Sequence, residues 1–288
     1  MLFVTAVASN TLTVVRRYGG TASSALTNGQ KLYILGNAAL EGDDRPATMY
    51  TARSRKRNYT QIFTASVEVS GSMQAARIYG AADEVDYQRQ ERMRELLRDL
   101  ENCVINGVAA AANQQGTSSV RRTMNGIIPS VVTNVFTPNT GGIPAGDGAG
   151  NNGLNEAVLA ACLRTVWEQS AGNIDTIICN GVQKRKINQF LTGIRQYSSA
   201  DTKVNNVVNL YEGDFGVQRV LLCRWVPSDT IILLDSSRTQ VLPLAGRSFG
   251  YKPLASTGDS QVGMVVGEYT LELKNENAHG VIKGLATS

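Results

Sequence analysis

Residues 41–112 constrain this chain more than any other part of it. An arginine-studded extended ribbon runs directly into one long amphipathic helix. The ribbon opens as Glu41-Gly42-Asp43-Asp44-Arg45-Pro46, climbs through Arg53, Arg55, Lys56 and Arg57, and returns as Tyr59 to Ser70. The return arm alternates. Phe63, Ala65, Val67 and Val69 fall on one side, Thr64, Ser66, Glu68 and Ser70 on the other, the period of a half-buried strand. The outgoing arm has no apolar side: Arg53, Arg55 and Arg57 share one face, Ser54 and Lys56 the other. A two-stranded ribbon of this kind is marginal in water. It is expected to lie on a neighbour, in a chain completed by copies of itself. The like charges of Arg45, Arg53, Arg55, Lys56 and Arg57 repel one another and call for acidic partners.

The helix supplies candidates. Asp83 is the expected N-cap, with Glu84 and Asp86 suited to the positive helix start. No proline intervenes before Ala112, and Met93, Leu96, Leu97, Leu100, Val104, Ile105 and Val108 form a stripe at helical spacing. A helix over 83–112 spans roughly 40 Å, and one apolar stripe on so long a rod needs a sheet along it. Glu84, Asp86, Glu91 and Glu95 repeat at distances a basic extended arm can meet. The expected contacts between subunits therefore join Arg45, Arg53, Arg55, Lys56 and Arg57 to Glu84, Asp86, Glu91 and Glu95.

The rest of the chain reads as mixed α and β. Residues 2–8 and 11–17 suggest a hairpin about Ser9-Asn10, and 31–35 a further strand. A strand-like run covers 127–136. A glycine-rich loop follows at 137–153, where backbone freedom predicts mobility. Helices are expected at 155–170, with Leu159, Cys162, Leu163, Val166 and Trp167 inward, and at 182–191, with a buried strand at 174–179 between them. From residue 204 onward strands dominate (217–226, 230–234, 240–244, 249–254), ending in a strand pair at 261–273 and 279–285.

Chemistry-bearing motifs are few. Gly148-x-Gly150-x-x-Gly153 matches a dinucleotide fingerprint, but no strand feeds directly into it and Asp175 starts rather than closes the next strand. His279 is the single histidine. With no His-His or His-Cys spacing, it reads as a structural turn residue, and no metal site or catalytic triad forms around it. Cys103, Cys162, Cys179 and Cys223 are widely separated and read as reduced, buried thiols. No apolar run reaches the ~20 residues of a membrane span, and Met1–Val7 lacks the charged start of a signal peptide. A net charge of +4 is too weak for a dedicated nucleic-acid binder. Lys184-Arg185-Lys186 reads as solvated helix surface, or as a contact to packaged nucleic acid or a neighbour. No catalytic residue, cofactor or metal is expected.

Several motifs occur in the order found in tailed-phage major capsid (major head) proteins: Asn58-Tyr-Thr-Gln-Ile-Phe63, Val67-Glu-Val-Ser-Gly71, Tyr87-Gln88 with Glu95-Leu-x-Arg-Asp-Leu-Glu101, Asn125-Gly-Ile127, Pro243-Leu-Ala-Gly-Arg247, Thr257-Gly-Asp-Ser260, Val266-Gly-Glu-Tyr-Thr-Leu-Glu272 and Asn275-Glu-x-Ala-His-Gly280. The chain most resembles the major head proteins of the SU-ten-like group, over roughly residues 41–285. That resemblance implies an α+β fold of the Hong Kong 97 capsid type. Its parts would be an N-terminal hairpin region (1–40), an extended basic loop (41–75), a peripheral domain with a spine helix (76–136), an axial domain (137–240) and C-terminal strands returning to the peripheral domain (241–288). It implies a structural protein that self-assembles into hexamers and pentamers of an icosahedral head around double-stranded DNA. Portal, scaffold or decoration proteins are further partners it would meet, with assembly in the host cytoplasm and no membrane. Longer members carry an arm ahead of the opening hairpin. An encapsulin-like nanocompartment shell and a nucleotide-binding enzyme resting on the 148–153 glycines are the alternatives.

Overall fold

The computed structural model describes the chain except for residues 40, 43, 46, 47, 49, 51, 53, 77–82, 171, 191–209, 257 and 288. The chain divides into two units, Met1–Ser54 and Arg55–Ser288.

In the first unit, β1 (Leu2–Ala8) pairs antiparallel with β2 (Thr11–Arg16), with a bulge between Val4 and Ala6. Phe3 stacks on Tyr18 at 4.9 Å. Residues 31–35, expected as a strand, pair with nothing among the described residues. Tyr33 and Ile34 are 83% and 95% exposed. Among the described residues no core cluster draws on this unit.

The second unit contains β3 (Gln61–Ser70), α1 (Gly71–Ala75), α2 (Glu84–Asn106), α3 (Ile127–Ser130), β4 (Val135–Phe136), α4 (Glu156–Gln169), β5 (Thr176–Cys179), α5 (Gly181–Phe190), β6 (Leu210–Gly213), β7 (Gly216–Leu222), β8 (Ile231–Leu234), β9 (Thr239–Pro243), β10 (Gly250–Pro253), β11 (Ser260–Leu273) and β12 (Gly280–Ile282). Two sheets organise it. A four-stranded sheet has β11 at its centre, paired with β3, β10 and β9. A six-stranded sheet runs β4-β12-β8-β5-β7-β6.

The return arm of the basic ribbon is a strand, with Phe63, Val67 and Val69 buried as its alternation requires. Its partner differs from the expectation. β3 pairs antiparallel with β11, Gln61 against Tyr269 through Ser70 against Ser260, and among the described residues nothing of the outgoing arm pairs with it. The outgoing arm offers no apolar face to share, whereas β11 brings Val265, which is fully buried against Phe63, Leu96 and Leu100. Helix α2 lies over this strand pair, as its stripe demands. Asp83 caps it by accepting from the Val85 amide at 2.9 Å. It ends at Asn106, short of the expected Ala112, because the chain turns at Gly107. The Gly126 amide donates to the Gly107 carbonyl at 2.7 Å, and a Cβ at either glycine would overlap backbone atoms.

The expected strand at 127–136 is instead the single turn α3 followed by the two-residue β4. The pair expected at the C-terminus separates: β11 serves the four-stranded sheet and β12 sits between β4 and β8 in the six-stranded one. Helices α4 and α5 cover one face of the six-stranded sheet, burying Val158, Leu159, Cys162, Val166, Ile177, Ile187, Ile231 and Leu233. On its other face Ile232, Leu234 and Val281 pack on Ile105, Ile127 and Leu271, which joins the two sheets. Trp167, expected inward, is 64% exposed at the margin of α4.

Candidate functional site

The predicted contact residues are surface groups. Arg45, Arg55, Lys56 and Arg57 are exposed, and Arg53 lies outside the described residues. Lys56 forms an ion pair with Glu276 of its own chain at 3.6 Å. The acids of α2 are also engaged at home. Glu84 accepts from Gln88 at 2.8 Å, Asp86 pairs with Arg89 at 3.1 Å, Glu95 with Arg92 at 2.6 Å, and Glu91 with Arg94. Within the second unit, the described residues Arg55, Lys56 and Arg57 form no ion pair with these acids. These i,i+3 pairs are exposed and worth only about 0–1 kcal/mol each, so a partner can exchange them. In the lysine-rich cluster, Lys184 donates to the Val220 carbonyl at 3.1 Å and so ties α5 to β7, whereas Arg185 is exposed.

Several residues of the motifs that carry the resemblance form clamps inside the fold. Asn58 pairs with the backbone of Asn125 in both directions: its Oδ1 accepts from the Asn125 amide and its Nδ2 donates to the Asn125 carbonyl, each at 2.9 Å. The same Nδ2 reaches the Leu271 carbonyl at 2.9 Å, and Asn125 Oδ1 accepts from the Ala109 amide at 2.7 Å. One side chain thus joins the start of β3, the segment after α2 and β11. Glu268, on β11, is 3% exposed. Its carboxylate accepts from Arg247 Nε at 2.8 Å, from Arg122 and from the Thr60 hydroxyl. At its neighbour Gly267, a Cβ would overlap the Phe249 ring, so the glycine lets that aromatic cover the strand.

A third clamp surrounds His279, which is structural but fully buried rather than in an open turn. The Asp235 amide donates to His279 Nδ1 at 3.2 Å, which leaves the proton on Nε2, 3.3 Å from the Lys274 carbonyl. Burial lowers the imidazole pKa, outweighing the Lys274 carbonyl and the nearby Asp235 carboxylate. Burial would raise Asp235, but hydrogen bonds from the Ser237 hydroxyl, the Asn173 and Ser237 amides and Arg238 hold it below the usual range. Glu276 is likewise lowered on balance: burial opposes its charge, but Thr133, the Val132 and Thr133 amides and Lys56 favour it. Every polar contact here serves to join residues 56, 132–134, 235–238 and 274–280.

The glycine loop is cross-tied rather than free. Asp147 and Gly153 exchange backbone hydrogen bonds at 3.0 and 2.8 Å, the Gly146 amide donates to Asn151 at 2.7 Å, and the Ala286 amide to Asn152 at 2.9 Å. The Asn151 and Gly153 amides are spent on Gly148 and Asp147, so they do not face a phosphate. The preceding strand, β4, ends at Phe136. Burial pushes the Cys162 thiol up to about 12 and the Cys179 thiol up to about 11, which leaves both inert. Among the described residues no group of three or more histidines, cysteines or acids is placed to hold a metal, and no helix is long and apolar enough to cross a membrane.

Sequence reasoning missed Glu268, Glu276 and Asn58 as clamps, although each lies inside a motif it had singled out. It also missed the exposed aromatic at Trp167.

Comparison with known proteins fits a structural role. Residues 4–286 match the SU10 major capsid protein family. The major capsid protein of Escherichia phage Phieco32 is 23% identical over 307 aligned positions, covering 91% of this chain and 83% of that protein. Among solved structures, the cyanophage A-1(L) capsid asymmetric unit superposes with a TM-score of 0.54 at 14% identity, over 79% of this chain and 78% of the other. The SrpI encapsulin complex of Synechococcus elongatus PCC 7942 gives 0.53 at 11% identity, over 80% and 75%. The satellite phage P4 procapsid gives 0.51 at 12%, over 92% and 85%. These structures share the Hong Kong 97-type fold. With that fold, and with a family match over nearly its whole length, this chain belongs to the SU10 major capsid protein family.

Proposed function

We propose that the chain is the shell subunit of a phage head, arranged in hexamers and pentamers around double-stranded DNA and without a catalytic role. Exposed apolar surface carries the reading. In the second unit Trp167, Leu210, Val217 and Leu221 are 64%, 60%, 53% and 48% exposed, and in the first Tyr33, Ile34 and Leu35 are 83%, 95% and 79% exposed. Contiguous apolar groups left in water mark a surface that a partner covers. Copies of the chain remove this surface from water.

Residues 41–75 serve as the extended loop on a neighbour and 76–136 as the peripheral domain. The axial domain comprises 137–240 together with β12, so only part of 241–288 returns to the peripheral side. Arg55 and Arg57 reach the α2 acids of the next copy. Exposed cations such as Arg185 meet DNA non-specifically, and assembly takes place in the host cytoplasm. A nanocompartment shell has the same fold, but the family match favours the phage head.

Negative-stain microscopy and sedimentation of purified protein test the proposal. Closed particles or capsomers are expected. A stable compact monomer at high concentration, in both low and moderate salt, overturns it.

A further inference from the structure

The six-stranded sheet is unevenly covered. On the face opposite α4 and α5, β8 and β12 are sealed by α2, α3 and β11, but among the described residues nothing covers the β7–β6 end. The register sets Leu210 opposite Arg219, and Leu221 opposite Ile178, on this second face. Leu210, Val217 and Leu221 are 60%, 53% and 48% exposed. Arg219, among them, is exposed, and its guanidinium has no partner among the described residues. On the helix side of the same sheet end, Trp167 stands 64% exposed with its indole 5.9 Å from the Phe215 ring. Gln218 lines the cleft beside that indole, and its buried Oε1 has no hydrogen-bond partner.

These two patches are complementary in chemistry. Tryptophan offers the best aromatic face for a guanidinium, and the unpaired carbonyl dipole beside it adds to the attraction for a cation. The aliphatic surround of Arg219 would strip water from the contact, the setting in which Trp and Arg dominate interface energy. The patches lie on opposite faces of the sheet, so a single two-fold contact does not engage both on each copy. A head-to-tail contact that closes generates a ring. We propose that Trp167 of one copy stacks on Arg219 of the next, within its Leu210–Val217–Leu221 surface, and that this contact closes the capsomer ring. The inference rests on reading the chain as a shell subunit.

The test is cross-linking of assembled protein. A chain carrying both Trp167→Cys and Arg219→Cys is treated with a short bismaleimide and run on a denaturing gel, beside each single variant and the unmodified chain. A covalent ladder from the double variant alone is expected. Particles that form without a ladder, or dimers from a single variant, overturn the ring contact while leaving the shell reading intact. Failure of the unmodified chain to form any particle sinks the shell reading itself. A second measurement avoids the cysteines. Trp167→Ala and Arg219→Ala should each raise the concentration needed for assembly about tenfold, and combining them should add little more. Fully additive effects overturn the pairing. So does a fall in the unfolding temperature of dissociated subunits on Leu221→Ser, because this surface would then be covered within the subunit itself.

Discussion

Glu268 offers the sharpest test of the clamp argument. Its carboxylate is 3% exposed and holds Arg122, Arg247 and Thr60 together, while its backbone carbonyl accepts from the Leu244 amide and its amide donates to the Arg247 carbonyl, both at 2.9 Å. Removing one partner of a buried ion pair costs about 3–5 kcal/mol, because the other charge remains buried and uncompensated. The two arginines do not suffer equally. The Arg122 side chain is 30% exposed, it meets Glu268 through a terminal guanidinium nitrogen and its buried Nε has no partner, whereas Arg247 is 47% exposed and can recover water. Glu268→Ala is therefore expected to cost about 3–4 kcal/mol, near the lower end of that range. For a chain of this length that loss lowers the unfolding temperature by roughly 5–8 °C. The assay is thermal unfolding of dissociated subunits at one fixed protein concentration, because assembly itself stabilises the folded state. Arg247→Ala should cost less than Arg122→Ala. Replacing Glu268 and Arg122 together by leucine should recover part of the loss, as buried pairs exchanged for apolar groups do. A Glu268→Ala shift under 2 °C, or an Arg247 effect larger than that of Arg122, refutes the reasoning.

Three further outcomes are expected. Changing Arg53, Arg55 and Arg57 together to Ser should leave circular dichroism unchanged but cut particle yield, most visibly as salt is varied; normal particles of normal salt resistance would remove the arm's role. The lowered His279 pKa means that unfolding takes up a proton below about pH 6.5, so this stability is present above that pH and is lost as pH falls toward the folded value. Asp235 and Glu276, both held low, extend the loss at more acidic pH, and His279→Gln should flatten only the portion near pH 6; an unchanged profile contradicts the buried clamp. In the glycine loop, the Asn151 and Gly153 amides should exchange hydrogen slowly, and Gly146→Ala should destabilise because its Cβ overlaps the Gly153 carbonyl; free exchange at both amides would restore the mobile picture.

Local periodicity was legible wherever a single element decided its own burial. The alternation at Phe63, Val67 and Val69, the cap at Asp83 and the stripe on α2 at Leu96, Leu100 and Ile105 all appear in the structure, whereas Leu97 of that stripe is 49% exposed and Val108 lies beyond the end of the helix, 67% exposed. Pairing was not legible, because β3 meets β11 across about two hundred intervening residues and nothing local to either strand names the other. The glycine loop misled for a related reason. Composition predicts freedom, but backbone hydrogen bonds between Gly146, Asp147, Asn151 and Gly153 depend on the loop closing on itself. Trp167 misled because it lies four residues beyond Leu163, on the expected inward stripe, yet the sheet beneath α4 stops supplying cover after Val166.

Among the residues that make the family recognisable, one set is held inside the fold and is distinct from the contact surfaces proposed above. Asn58, Asn125, Glu268, Glu276 and His279 bind one part of the chain to another, and each needs specific partners at hydrogen-bond distance. The arm arginines, Trp167 and the β7–β6 face need only charge or apolar area. That division lets a subunit fold before it meets a neighbour. It also sets the strength of each contact. The α2 acids already hold partners within their own helix, so in the contact proposed above a neighbour's arm would replace one exposed pair with another. The net gain per exchange is a fraction of the ~1 kcal/mol that an exposed pair provides at most. A shell held by many such exchanges closes only when its contacts act together, and a misplaced subunit can leave before closure.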